Sequence, residues 1–168
     1  PQFGDKATRL EGTVEMVRPP DGSAGWLTRR EGTMTPNNMS FLVVGDGQIL
    51  SWANHDKKVV YEKYSRSAKD TQITAADTSW IKQLADAQPF AAELAAPKAT
   101  VEGTANLDGT PCEIVAVDFG ENKAKLRWFF AATDHLPRKL ERGVGTFQTV
   151  YEITDVQVNA EIAPDRFK

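Results

Sequence analysis

Alternation of apolar and polar side chains in short runs is the feature that most constrains this chain. In the segment 10–18, Leu10, Val14 and Met16 occupy alternate positions, and Glu11 and Glu15 fall between them. Side chains of a strand point to opposite faces with a period of two. Similar runs recur along most of the sequence, separated by turn residues, so the pattern predicts a mainly antiparallel β architecture.

About ten strands are expected from this pattern. Asp46-Gly47 and Asp108-Gly109 are strong signals for tight hairpin turns. Segment 40–65 is predicted to be a three-stranded meander, and segment 99–120 a hairpin. Further strands are expected at 10–18, 26–34, 123–133, 138–142 and 146–159.

One helical insertion interrupts the strands, at about 75–96. Trp80, Ile81 and Leu84 recur there at helical spacing, and Pro89 divides the run. Two short helices are therefore expected, at about 77–88 and 89–96. With no linker visible, the whole chain 1–168 is interpreted as a single domain.

Charge and hydropathy exclude two classes of partner. The 20 Lys and Arg against 23 Asp and Glu give a net charge of −3, which offers no strong positive field for nucleic acid. Apolar runs such as FLVV at 41–44 are far shorter than the roughly 20 residues that span a bilayer. We therefore expect no nucleic-acid partner and no membrane-spanning segment.

Catalytic and metal-binding patterns are weak. Cys112 lies in an apolar strand, whereas His55 and His135 lie in expected turns, so no nucleophile and base are brought together. Clusters with metal-ligand spacing and glycine-rich phosphate loops are absent from the sequence. The sequence predicts a protein that is not an enzyme and has no cofactor or metal, with Cys112 buried and unreactive.

Aromatic residues leave two interpretations open. Trp26, Trp52, Trp80 and Trp128 are spread over the strands and the helical insertion. If the sheet curves, they can border an apolar hollow beneath the helix. The simpler alternative is a core filled by side chains.

The order of elements resembles a known family. The stretch VVGDGQILSWANHDKKVVYEKY, the helical insertion, LDGTPCEIVAVDF, KLRWFFAATDHLPRKLER and the terminal NAEIAPDRFK together resemble the LolA/LolB-like lipoprotein-carrier superfamily of bacterial envelope proteins. The first helix and the proline-rich tail usual in that family have no counterpart here. Pro1 as first residue indicates a processed chain or a piece of one, from which a signal peptide has been removed.

The resemblance implies an open, strongly curved antiparallel sheet, an unclosed barrel with a short helical lid. It implies a periplasmic or otherwise extracytoplasmic binding protein that holds a lipid, a lipoprotein acyl chain or another amphiphile between sheet and helix. The alternative is a structural or protein-interaction domain with a filled core, beside a neighbouring domain of the full-length protein. In a carrier, four residues of the insertion are expected to contact the concave sheet loosely enough to separate when a ligand enters: Trp80, Ile81, Leu84 and Leu94. In a packed core they are expected to be immobile. The candidate cavity-lining residues are Val14, Met16, Trp52, Trp80, Leu84, Trp128 and Phe130.

Overall fold

The computed structural model describes residues 9–18, 26–35, 39–45, 49–64, 83–84, 87–121, 123–145 and 147–167. Within these residues it contains ten strands, one bounded α-helix of four residues and one 3-10 helix, besides two helical residues at 83–84. In chain order they are β1 (Arg9–Val17), β2 (Leu27–Thr35), β3 (Met39–Gly45), β4 (Ile49–Asn54), β5 (Val59–Tyr64), α1 (Ala91–Leu94), β6 (Lys98–Leu107), β7 (Thr110–Asp118), β8 (Lys125–Ala131), β9 (Pro137–Val144), β10 (Phe147–Glu152) and η1 (Pro164–Phe167).

The strands form two antiparallel five-stranded meanders instead of the single curved sheet expected from the sequence. Sheet 1 has the order β1-β2-β3-β4-β5, and sheet 2 the order β10-β9-β8-β7-β6. β5 and β6 follow one another in the chain but are terminal strands of different sheets, so no ladder of backbone hydrogen bonds joins them. The mainly β, open antiparallel prediction is confirmed in this coarser form.

Two compact units accompany the two sheets. One comprises Pro1–Thr78 and Ala160–Lys168, and the other Ser79–Asn159. Sheet 1 and η1 belong to the first unit, and α1 and sheet 2 to the second. The interpretation of 1–168 as a single domain stays a prediction.

Sheet 1 follows the expected alternation only in part, since Leu10 is half-buried but Val14 is exposed and Glu15, Met16 and Val17 are all half-buried. Leu10 packs against the buried pair Phe41 and Val43. Gly12 is opposite Gly32 in the register of β1 and β2, and the strands approach closely there. A Cβ atom at Gly12 would lie 2.0 Å from the carbonyl oxygen of Glu31, so this pairing requires glycine.

The C-terminal residues return to sheet 1 within the first unit. Arg166 of η1 donates from Nη2 to Oε1 of Glu15 at 2.9 Å and from Nε to Oε2 at 3.2 Å. Arg29 of β2 donates from Nη1 to the carbonyl oxygen of Arg166 at 3.4 Å, and Phe167 beside it is buried. These contacts of Arg166 join η1 to β1 and β2.

Sheet 2 is built on the expected hairpin. Asp108 and Gly109 both have positive φ, 48° and 86°, as a two-residue turn that matches the strand twist requires. At the other end of the sheet, the last strand is shorter than the expected 146–159. The amide of Ile153 donates to the carbonyl of Arg138, but β9 begins at Pro137, so no further partner remains and β10 ends at Glu152.

The helical insertion is described only in part. Residues 83 and 84 are helical, and α1 forms one turn inside the range expected for the second helix. Residues 87 and 88, at the end of the first expected helix, form a bend instead. Residues 77–82, including Trp80 and Ile81, and residues 85–86 lie outside the described residues. Within the described ranges, no helix has the length and apolar character needed to cross a membrane.

The expected contact of Leu94 with the sheet is not observed. Leu94 is 81% exposed, whereas Glu93 beside it is buried. Successive helical residues are about 100° apart around the axis, so turning Glu93 inward leaves Leu94 at the surface.

We expect Leu140→Ala to destabilise the protein by about 2–5 kcal/mol, because Leu140 is 3% exposed in the core of sheet 2 and its truncation leaves a cavity. Leu94→Ala is the matched control and should change the free energy of unfolding by no more than about 0.5 kcal/mol. Urea unfolding followed by circular dichroism measures both. Equal effects of the two substitutions would contradict this assignment of the core.

Candidate functional site

The candidate site is the apolar face of sheet 2 centred on Trp128. Val115 of β7 and Leu140 of β9 are its two cross-strand partners, and partners in register project from the same face. Trp128 is 1% and Leu140 3% exposed. Partly buried apolar side chains surround this buried centre: Val115, Phe119, Phe130, Tyr151 and Ile153.

Phe90 covers the centre of this face. Its ring lies edge-on to Trp128 at 5.2 Å and to Phe130 at 5.4 Å between centroids. The rings of Trp128 and Phe130 are stacked at 5.9 Å. Phe90 therefore rests on a two-ring platform, in the edge-to-face geometry that aromatic pairs favour.

The backbone at Phe90 is strained, and the helix that follows it has only four residues. Phe90 has φ 59° and immediately precedes α1, a left-handed conformation that is uncommon for a bulky residue. Behind it, Glu93 is buried, and the Gln83 amide, oriented with its nitrogen toward Glu93, lies 3.1 Å from both carboxylate oxygens. The contacts of Phe90 and Glu93 thus hold the cover in place.

The opposite face of sheet 2 has charged side chains that lie over buried apolar ones. Phe129 is buried there, with the guanidinium of Arg127 at 5.5 Å and the ammonium of Lys139 at 5.3 Å from its ring centroid. Both cations form ion pairs with Glu141. Burial, the largest single effect, raises the pKa of Glu141, but Lys139 and Arg127 outweigh it and hold the pKa below its usual range.

Two of the predicted lining residues meet in the structure, Trp128 and Phe130. Val14 is 40% exposed and Met16 half-buried on β1. Trp52 occupies a register position opposite Val43, and its side chain lies outside the described residues, as does all of Trp80. Leu84 is half-buried.

Sequence reasoning missed Phe90, Val115 and Tyr151 as members of this face. The alternation in β7 and β8 does group Val115 with Val117, and Trp128 with Phe130. Alternation does not reveal which residues of two paired strands lie opposite each other. The register of β7 and β8 places Val115 opposite Trp128. The position of Phe90 depends on its unusual backbone conformation, for which the sequence holds no signal.

Two concave regions lie elsewhere in the second unit. A pocket of about 200 Å³ is bordered by polar residues that include Asp108, Arg138 and Glu152. An open groove of about 830 Å³ is bordered by three lysines, three glycines, Pro97 and the two carboxylates of Asp118 and Glu121. Neither is bordered by a residue that the sequence analysis placed in the cavity.

Groups with catalytic potential are separated. Cys112 is buried, as expected, and its Sγ lies 3.5 Å from the carbonyl oxygen of Thr110. His55 and His135 are exposed in turns. In the part of the chain that the structure describes, no three His, Cys, Asp or Glu side chains are grouped so that they could hold a metal ion.

Comparison with known proteins leaves the family open. No protein-family model matches the chain, and no curated protein matches it. Among solved structures, a DUF1329 family protein from Desulfovibrio piger ATCC 29098 is similar over 82% of this chain with 12% sequence identity and a TM-score of 0.34. This chain covers 66% of that protein's chain.

We expect native Cys112 to react slowly with a thiol reagent such as DTNB. Burial raises the pKa of the Cys112 thiol, which lowers the fraction of reactive thiolate, and the side chain is 1% exposed. The denatured protein should react rapidly and serves as control. Native labelling as fast as in denaturant would show that Cys112 is accessible.

We expect Glu141→Gln to lower the free energy of unfolding by about 1 kcal/mol at about pH 7 and to have no effect at about pH 3. Because the folded-state pKa of Glu141 is lowered, its contribution is present above the unfolded-state pKa and is lost as the pH falls through the folded-state pKa. Glu113→Gln is the control, since Glu113 is exposed and forms no ion pair with any described residue. An effect of Glu141→Gln that is independent of pH would contradict the ion-pair assignment.

Proposed function

We propose that this chain is a non-enzymatic protein that binds the acyl chain or other apolar part of an amphiphile against the Trp128 face of sheet 2. The proposal is based on the packing of the Phe90 ring against Trp128 and Phe130, where Phe90 immediately precedes a one-turn helix. An acyl chain can replace the Phe90 ring there, exchanging one apolar contact for another.

Partial burial around the centre supports this proposal. Val115, Phe130 and Tyr151 pack on the buried cluster yet keep part of their surface exposed. Apolar surface bordering a filled centre is suited to an apolar ligand. The ligand gains by covering surface that the folded protein leaves in water.

Backbone strain offsets part of the energy that holds the cover. The left-handed conformation of Phe90 costs on the order of 1–3 kcal/mol, and two aromatic pairs contribute about 0.5–1.5 kcal/mol each, in addition to the burial of the ring. The strain therefore offsets the aromatic pairs and leaves the apolar contact of the ring to hold it. A helix of four residues is also far too short to be stable by itself, so its position depends on tertiary contacts.

We extend the proposal to family and location on the resemblance of the sequence to LolA/LolB-like carriers. A carrier of that kind has an open antiparallel sheet beneath a helical lid and works in the periplasm. Segment 83–96 then acts as the lid, and the protein is extracytoplasmic. Trp80 and Leu84, which belong to the same unit as sheet 2, remain proposed members of the lining.

A protein-interaction domain with a filled core is the second candidate. Trp128 and Leu140 leave no room at the centre of the face, at 1% and 3% exposure, and Val101 on the terminal strand β6 is 70% exposed. An exposed apolar residue on a terminal strand suits pairing with another protein. Capture of one partner by the full-length protein, lost in Val101→Lys, would favour this candidate.

The experiment is a titration with myristate below its micelle concentration, followed by tryptophan fluorescence and native mass spectrometry. We expect a one-to-one complex with the wild type. Phe90→Ala should bind about tenfold more tightly, because the ligand no longer has to displace the Phe90 ring from its contacts with Trp128 and Phe130. Leu94→Ala, on the same helix but 81% exposed, is the matched control and should bind like the wild type.

Trp128→Phe keeps an aromatic ring on the face and should abolish the part of the fluorescence response that comes from Trp128. Failure of both the wild type and Phe90→Ala to bind myristate would reject the proposed function. Equal gains in Phe90→Ala and Leu94→Ala would reject the role of Phe90 in the site.

A further inference from the structure

We infer that Glu93 receives the head group of the bound amphiphile, and that this head group is a primary ammonium. The inference rests on the proposed function and specifies its ligand as a long-chain amine. Glu93 is a buried acidic residue of α1, the one-turn helix of the cover. The apolar binding proposed above makes no use of it.

Glu93 belongs to the side of the cover that faces the sheet. In segment 90–96, Phe90 and Ala96 are half-buried and Glu93 is buried, whereas the four residues between them are exposed. Phe90 and Ala96 both pack against the Trp128 cluster. Since Glu93 lies midway between them in this row of every third residue, its side chain is directed to the same face of sheet 2.

The charge of Glu93 is only partly compensated. Among the described residues, its hydrogen-bond partner is the Gln83 amide alone, whose nitrogen lies 3.1 Å from both carboxylate oxygens when it is oriented toward them. An amide carries no net charge. A buried carboxylate is costly unless a cation and further hydrogen bonds offset the loss of its hydration. Glu93 can therefore still accept a cationic hydrogen-bond donor.

Charged residues of the sheet also project from the Trp128 face. Arg142 of β9 is opposite Leu126 and is engaged in contacts of its own. Glu113 of β7 is opposite Phe130 and is exposed. An anionic head group would be attracted to Arg142, whereas a cationic one would be attracted to Glu93. The sign of the head-group charge therefore decides between these two positions.

The position of Glu93 suits a ligand whose chain takes the place of the Phe90 ring. Glu93 follows Phe90 by three residues in a single turn, and Ala96 holds the other end of that turn on the Trp128 cluster. A chain that lies on Trp128 can therefore place its head group beside the Glu93 carboxylate. An ammonium group there donates charge-assisted hydrogen bonds, which are stronger than those of the neutral amide.

The test compares three probes whose chains have the same length: tetradecylamine, myristate and the neutral monomyristoylglycerol. Calorimetry below their micelle concentrations measures the affinities at low and at physiological ionic strength. We expect the wild type to bind tetradecylamine about tenfold more tightly than myristate, and to do so at both ionic strengths, because a buried charge is screened little by salt. In Glu93→Gln, which can still accept the hydrogen bond from Gln83, the two affinities should become equal.

Glu161→Gln is the matched control, because it makes the same change in net charge at an exposed residue of the other unit and should keep the preference. Equal affinities of the wild type for tetradecylamine and myristate, tighter binding of myristate, or a preference that survives in Glu93→Gln would overturn the inference. A preference lost at physiological ionic strength would also overturn it, since it would reflect the net charge of −3. Binding of monomyristoylglycerol would leave the proposed function standing in each of these cases, whereas absence of binding of all three probes would overturn both.

Discussion

Burial of Trp128 between its neighbours in β7 and β9 is the interaction on which the second unit depends. The side chain is 1% exposed, and its ring lies in register with Val115 and Leu140. A buried aromatic of this size dominates the energetics of a small core. It aligns three strands, supports Phe130 by stacking and provides the surface on which Phe90 rests. The core and the candidate site are thus one structure, because the same ring that stabilises the sheet forms the floor of the site.

In the first unit, the 3-10 helix η1 joins the sheet by a different kind of contact. Arg166 donates two hydrogen bonds to Glu15, although the two residues are far apart in the sequence, and Phe167 beside Arg166 is buried. Paired hydrogen bonds from a guanidinium fix orientation as well as distance. Residues of β1, β2 and η1 therefore form one body, although η1 follows all ten strands in sequence.

The proposed ligand follows from the Trp128 face of sheet 2, which is apolar and only partly covered. An apolar face by itself identifies no ligand, since apolar surface is common on proteins. The cover distinguishes this face. Phe90 rests on Trp128 and Phe130 in a left-handed backbone conformation, and this strain offsets part of the stabilisation that the ring gains there.

The sequence by itself determined the local features, because each depends on residues close together in the chain. Alternation predicted strands and faces, Asp108-Gly109 predicted the hairpin, and the apolar surroundings of Cys112 predicted its burial. Tertiary structure decided the division into two sheets, the pairing of Val115 with Trp128 and the position of Phe90. Alternation groups residues within a strand but specifies neither which strand lies beside it nor in what register, and those long-range pairings are fixed only when the whole chain packs.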